Sequence, residues 1–110
     1  MAMPEIDEVN RKKPLCYDPK RHKFIFYNEI VDKIEDIILP STLSKSDQKK
    51  LIIERQISGP DYKSQAMSGP AMNRNDFVKA IQNDEENGVI MVEAEISYLD
   101  ELLEEIRQNL

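Results

Sequence analysis

Long apolar runs, cysteine and a secretory leader are all missing or scarce in this sequence of 110 residues, and each absence excludes a class of protein. No apolar run approaches the roughly 18–20 residues that a membrane-spanning helix needs. The single cysteine, Cys16, excludes an internal disulfide and a cysteine-based zinc cage, as is usual in a reducing compartment. The first residues contain no apolar segment of the kind that a secretory signal requires. We therefore expect a cytoplasmic protein that does not contact membranes.

Groups suited to catalysis are also few. Cys16 and His22 are the only thiol and the only imidazole, and they lie in a proline-rich stretch that is poorly suited to the fixed geometry of a Cys–His pair. With three glycines in total, the chain has no glycine-rich phosphate loop. Glu101, Glu104 and Glu105 share one side of a predicted helix, but without histidine or calcium-loop spacing they are typical of a solvated face. We expect no catalytic residue, no cofactor and no bound metal.

Positive charge is scarce at one end of the chain. The net charge is −6, yet residues 84–110 contain nine acidic side chains and one basic side chain, which gives that segment a net charge of −8. Residues 1–23 instead carry a net charge of +2. Such an asymmetry is typical either of the solvated face of a helix or of a surface that binds a basic partner.

Proline and hydrophobic spacing divide the chain into two regions. Three prolines interrupt residues 1–21, which predicts a flexible, irregular N-terminal arm. Residues 22–110 are predicted to form a single domain with a mobile loop at 58–72. Apolar spacings of three and four residues predict four helices, at 24–38, 45–57, 75–83 and 89–109. The start of the first helix is less clear, because Lys23–Tyr27 is also typical of a short strand. The fold class is therefore predicted to be all-α, a small four-helix domain.

Cap signals support two of these helices. Ser44 precedes Asp47 by three residues, in a pattern close to a capping box, and Gly59-Pro60 is a typical helix stop. Asn73 or Asn75 can cap the third helix.

The C-terminal helix carries a heptad repeat of apolar residues. Seven residues step by three and four, at Val89, Val92, Ile96, Leu99, Leu103, Ile106 and Leu110. This seam predicts a coiled-coil type of contact. The alternation over 89–96 is also typical of a strand, and a strand there would make the fold α+β.

Two uses of this seam are open. It can pack inside the domain, for instance on the helix that bears Lys49, Lys50 and Arg55, or it can form an interface with another protein or a second copy. For the interface we predict apolar contacts from Val92, Ile96, Leu99, Leu103 and Ile106. Partner choice would be set by charge at Glu93, Glu95 and Asp100.

The sequence therefore predicts a small, non-enzymatic interaction or regulatory module that forms homo- or hetero-oligomers through its C-terminal helix. One alternative is a nucleic-acid-associated regulator, similar to an antitoxin or repressor, whose arm contacts phosphate through Arg11, Lys12, Lys13, Lys20 and Arg21. The sequence pI near 4.8 weighs against this alternative. A purely structural component of an assembly is the other alternative.

Overall fold

The computed structural model describes residues 6–59, 63–64 and 71–110. In chain order, the elements within these ranges are α1 (Glu8–Arg11), β1 (Cys16–Asp18), β2 (Lys23–Ile25), α2 (Tyr27–Val31), a 3₁₀ turn (Pro40–Thr42), α3 (Lys45–Ser58), β3 (Lys63–Ser64), β4 (Met72–Asn73), α4 (Arg74–Gln82) and α5 (Glu86–Asn109). The predicted helical character is confirmed. Two antiparallel strand pairs add a small β component that the all-α prediction did not include.

A β-hairpin stands where the sequence predicted part of an irregular arm. β1 and β2 pair antiparallel with Tyr17 opposite Phe24, and the centroids of these two rings lie 4.9 Å apart. Cys16 and Tyr17 are buried. The irregular structure predicted over 1–21 therefore differs from what residues 6–21 form, because α1 and β1 lie there and the apolar side chains of β1 enter the core. The predicted flexibility of this segment stays a prediction. The strand pairing also crosses the predicted boundary between arm and domain.

The helix predicted over 24–38 is wrong in its length. α2 has only five residues, and two positions beyond it Lys33 adopts a left-handed backbone conformation with φ of 59°. The amide N–H groups of Ile34 and Glu35 both donate to the carbonyl oxygen of Glu29, at 2.9 and 3.1 Å. The chain therefore forms a turn here in place of a further helical turn. Ile34 fits the apolar spacing of three and four residues in this segment, yet it is 67% exposed.

The remaining three helices lie close to their predicted positions. At the start of α3, Ser44 Oγ accepts a hydrogen bond from the amide of Asp47 at 3.2 Å. At the start of α4, the Asn73 side chain accepts from the amide of Asp76 at 2.9 Å, and the Asp76 carboxylate accepts from the amide of Asn73 at 3.0 Å. These reciprocal bonds are a capping box. α5 is continuous, so residues 89–96 are helical and do not form a strand.

Most of the loop predicted at 58–72 lies outside the described residues. Within it, the backbone of Lys63 and Ser64 pairs with Asn73 and Met72. The predicted mobility of this loop stays a prediction.

α4 and α5 form a tight helical hairpin. Asp84, in the turn between them, has a φ of 54°. Gly88, in the first turn of α5, lies so close to the backbone of Ala80 and Ile81 that a Cβ atom would overlap their main-chain atoms. The missing side chain at Gly88 therefore sets how closely the two helices approach.

Side chains of α3, α4, α5 and the hairpin form the hydrophobic core, in which α5 packs on α3 and α4 while β1 packs on α3. Its members with no exposed surface are Leu15, Cys16, Ile25, Leu51, Ile52, Leu99, Leu103 and Ile106. The core thus joins the N-terminal hairpin to the C-terminal helix.

Candidate functional site

The five apolar residues predicted as an interface lie inside the chain. Val92 and Ile96 are 8% exposed, and Leu99, Leu103 and Ile106 are fully buried in the core. These five residues of the α5 seam therefore form an internal packing face in this structure, which is one of the two uses that the sequence left open. Val89 and Leu110, the first and last residues of the seam, are exposed. A contact between chains through the same five residues stays a prediction, and it would require the core to open.

Glu95, predicted to select a partner by charge, forms an internal ion pair with Arg55. The Glu95 carboxylate accepts from Arg55 Nη2 at 3.3 Å. The same guanidinium donates to the side-chain oxygen of Asn10 at 2.7 Å and to the carbonyl oxygen of Pro14 at 3.0 Å. Arg55 is only 1% exposed, and these three acceptors compensate its buried positive charge. This arginine junction joins the N-terminal segment, α3 and α5.

The other two predicted charged residues differ in their surroundings. The Asp100 carboxylate accepts from the amide N–H of Ser41 at 3.1 Å and so fastens the 3₁₀ turn to α5. Glu93 is exposed. Of the three acids predicted to set partner choice, Glu93 alone is exposed, while Glu95 and Asp100 have structural contacts.

The side of α5 opposite the core, here called the outer face, is acidic. It carries exposed glutamates at Glu93, Glu101 and Glu105, together with the small exposed residues Ala94 and Ser97. Among the residues that the structure describes, none of the three glutamates takes part in an ion pair. The outer face therefore presents uncompensated negative charge that can receive basic side chains from another molecule.

A small cleft adjoins the amino end of the outer face. It lies between α3, the turn after α4 and α5, and its volume is about 150 Å³. Its lining combines aliphatic side chains with charged ones, namely Ile81, Val89, Val92, Lys45, Lys49, Asp84 and Glu93. Lys49 and Asp84 form an ion pair of 3.1 Å there. A cavity of about this volume accommodates a benzene-sized group, so the cleft can accept one aliphatic side chain.

Two of the five basic residues predicted to contact nucleic acid are engaged within the chain. Arg21 forms ion pairs with Asp18 and Glu35. Arg11 donates through Nε to a backbone carbonyl at 3.2 Å, and its guanidinium lies 5.3 Å from the centroid of the Tyr27 ring. These contacts hold both guanidinium groups against the protein surface.

The other three basic residues do not form one surface. Lys13 is half-buried, and burial together with the nearby positive charge of Arg55 lowers the pKa of its ammonium group. Lys12 and Lys20 are exposed, but they line different clefts. The structure therefore does not bring the five predicted residues together.

The only thiol is a core residue. Burial raises the pKa of the Cys16 thiol to about 11, which keeps it protonated and weakly nucleophilic at neutral pH. The ring of His22 instead contacts the Tyr17 hydroxyl, with Nδ1 and the oxygen 3.2 Å apart. Within the described ranges, no group of three or more His, Cys, Asp or Glu side chains is arranged to hold a metal ion.

The sequence reasoning missed two residues that organise these surfaces. Arg55, grouped above with Lys49 and Lys50, lies four residues after Leu51 and three after Ile52 and so shares their buried side. This spacing could have identified Arg55 as a buried residue. For the exposure of Ile34 the sequence offers no local signal, because its spacing matches the apolar stripe around it.

Comparisons with protein-family models, with curated proteins and with solved structures find no match to this chain. Among the helices in the described ranges, none is both long enough and apolar enough to cross a membrane. A functional hypothesis therefore rests on the surfaces of the fold itself.

Proposed function

We propose that this protein is a non-enzymatic interaction module that binds a partner protein through the outer face of α5. The observation that carries the proposal is a row of exposed glutamates without ion pairs in the described ranges, on a helix whose other side is fixed in the core. A rigid surface of one charge sign favours complementary partners, because it speeds their association and repels surfaces of like charge.

The partner in this proposal is a different protein with a basic surface. Two copies meeting through their outer faces would oppose glutamate to glutamate, which is unfavourable. The small side chains of Ala94 and Ser97 leave room for a partner to approach the α5 backbone closely. The adjoining cleft beside Val89 offers a position for one aliphatic anchor, the kind of contact in which binding energy concentrates.

The nucleic-acid alternative has less support. Of its five basic residues, Lys12 and Lys20 are the two that are exposed and form no ion pair or cation–π contact in the described part of the chain. So few separated charges provide little attraction to a phosphate backbone. The alternatives of a regulator and of a structural assembly component stay predictions, as does the cytoplasmic location.

A photo-crosslinking amino acid at Ser97, in the middle of the outer face, tests the proposal in cells. Captured proteins are identified, purified and titrated against the purified wild-type chain. We expect at least one basic protein that binds the wild-type chain in solution with a salt-dependent dissociation constant. The triple change Glu93→Lys, Glu101→Lys and Glu105→Lys should raise that constant by about 10-fold or more at low salt.

A second triple variant controls for the change in net charge. Glu8→Lys, Glu54→Lys and Glu85→Lys alter the total charge equally but lie outside the outer face. This variant should bind the partner with an affinity close to that of the wild type. The proposal is wrong if both triple variants lose affinity equally, or if no protein captured at Ser97 binds the purified chain.

A further inference from the structure

We propose that two copies of this chain associate through the turn after α2, residues 32–38, which displays Ile34. This turn is separate from the outer face of α5, so the proposal does not rest on the function proposed above. Ile34 is 67% exposed, more than any other exposed large apolar side chain in the described ranges.

The exposure of Ile34 is built into the backbone. Lys33 has a φ of 59°, a conformation that is unfavourable for lysine because its Cβ crowds the carbonyl oxygen that follows. The amide N–H groups of Ile34 and Glu35 are both bound by the Glu29 carbonyl. Backbone strain is often found at functional sites, and here it lies next to the most exposed of the large apolar side chains in the described ranges.

Ion pairs fix this turn in place. The Glu35 carboxylate forms ion pairs with Arg21 and, at 2.8 Å, with Lys23. Lys23 forms a second ion pair with Glu29 at 2.9 Å. The side chain of Glu35 is only 7% exposed. A turn that is rigid before association loses little conformational entropy on binding, which favours complex formation.

A groove of about 600 Å³ runs beside Ile34. Ile34 itself, Ile38 and Leu43 contribute aliphatic surface to its lining. A projecting side chain and a receiving groove on the same surface meet the requirement of a twofold dimer, in which each copy supplies both halves of the contact. In that dimer the Ile34 side chain of each copy enters the groove of the other.

The charged lining of the groove favours a second copy as its occupant. Lys20 and Asp36 both line the groove, both are exposed, and neither has an ion-pair partner among the described residues. A twofold arrangement brings Lys20 beside the partner's Asp36 and repeats this contact symmetrically. Exposed ion pairs add little affinity, but they select the partner and the register of the contact.

Sedimentation velocity of the full chain, from about 1 μM to about 1 mM, tests this dimer across the range of weak to moderate affinities. We expect a monomer–dimer equilibrium. Ile34→Asp should raise the dimer dissociation constant about 100-fold or more, because each copy loses the burial of one aliphatic side chain. Ile57→Asp is the matched control, since Ile57 is 54% exposed on α3 and does not line the groove. Both variants alter exposed residues, and far-UV circular dichroism is used to check that each variant is folded.

A charge-swap experiment tests the contact between copies. Lys20→Glu and Asp36→Lys should each weaken the dimer by about 3- to 10-fold, because like charges then meet twice in every dimer. An equimolar mixture of the two variants should recover the wild-type affinity, because each heterodimer restores opposite charges at both contacts.

Four results would each overturn the proposal. They are a wild-type chain that is monomeric at every concentration, an Ile34→Asp dimer as stable as the wild type, equal weakening by Ile57→Asp, and a mixture that associates no better than the single charge variants.

Discussion

Replacing Gly88 by alanine tests how closely α4 and α5 approach each other. The added Cβ would lie well inside 3.0 Å of three main-chain atoms, the carbonyl carbon and oxygen of Ala80 and the amide nitrogen of Ile81. Non-bonded carbon atoms are most stable about 3.5–4.0 Å apart, so the helices must separate by about 1 Å. Main-chain atoms inside a helix cannot rotate away as the end of a flexible side chain can.

The expected loss of stability follows from that separation. Overpacking of this kind lowers the free energy of unfolding by about 1–3 kcal/mol. Separating the helices by up to about 1 Å also removes about a quarter to a half of the van der Waals attraction between the facing side chains. The better helix propensity of alanine returns about 1 kcal/mol at most. We therefore expect Gly88→Ala to lower the free energy of unfolding by about 2 kcal/mol.

Urea unfolding followed by far-UV circular dichroism measures this loss. With a slope of about 1–3 kcal/mol per molar urea, the midpoint should fall by about 1 M while the slope stays constant. Gly59→Ala is the matched control, because its Cβ meets the flexible end of Lys13, with Cε at 2.6 Å, and no helix backbone closer than 3.4 Å. That variant should stay within about 0.5 kcal/mol of the wild type. A Gly88→Ala protein with an unchanged midpoint would refute this account of the helix contact.

Three further perturbations test other parts of the fold. Arg55→Met should lower the free energy of unfolding by about 2–4 kcal/mol, because it leaves Glu95 and two other acceptors without their donor; an unchanged thermal midpoint would contradict this. Hydrogen bonds from two cations lower the pKa of Glu35 from 4.5 to about 2. Folding therefore favours the ionised form, and stability should decline as the pH falls from about 4.5 to about 2, a decline that Glu35→Gln should reduce in acid titrations. Leu99→Asp combined with Leu103→Asp should unfold the isolated chain, whereas a folded monomer would show that the seam is an interface.

Local signals were enough to predict the three long helices. Ser44 and Asn73 cap α3 and α4 through hydrogen bonds that reach only three residues along the chain. The heptad spacing similarly identified which side of α5 is apolar, since Val92 and Ile106 both lie on its buried side. In each case the interactions that determine the structure lie within the element itself.

The predictions from sequence were wrong where contacts between residues far apart in the chain determine the backbone conformation. Residues 24–38 have helical periodicity, but the ion pairs of Glu35 with Arg21 and Lys23 belong to a turn that ends the helix early. Pro14 and Pro19 suggested irregular structure, whereas the strand between them is stabilised by pairing with β2. Neither contact can be read from spacing alone.

The candidate site shows the same division. Glu93, Glu95 and Asp100 were correctly placed on the C-terminal helix, yet their roles depend on which residues face them. Glu95 forms an ion pair with Arg55, which lies 40 positions away in the sequence. Asp100 accepts a hydrogen bond from the backbone of Ser41, which lies 59 positions away. Only Glu93 keeps the exposure that the predicted function requires.

The arginine junction also bears on how the chain folds during synthesis. Arg55 takes its acceptors from positions 10, 14 and 95, so its burial must wait until α5 has been made. Burial of the guanidinium before then would desolvate it without its carboxylate partner, which is unfavourable. We therefore expect the hairpin and α3 to remain without stable packing on the ribosome and to fold together once α5 has emerged. Contacts of such long sequence separation also predict slower folding than is usual for a small helical domain.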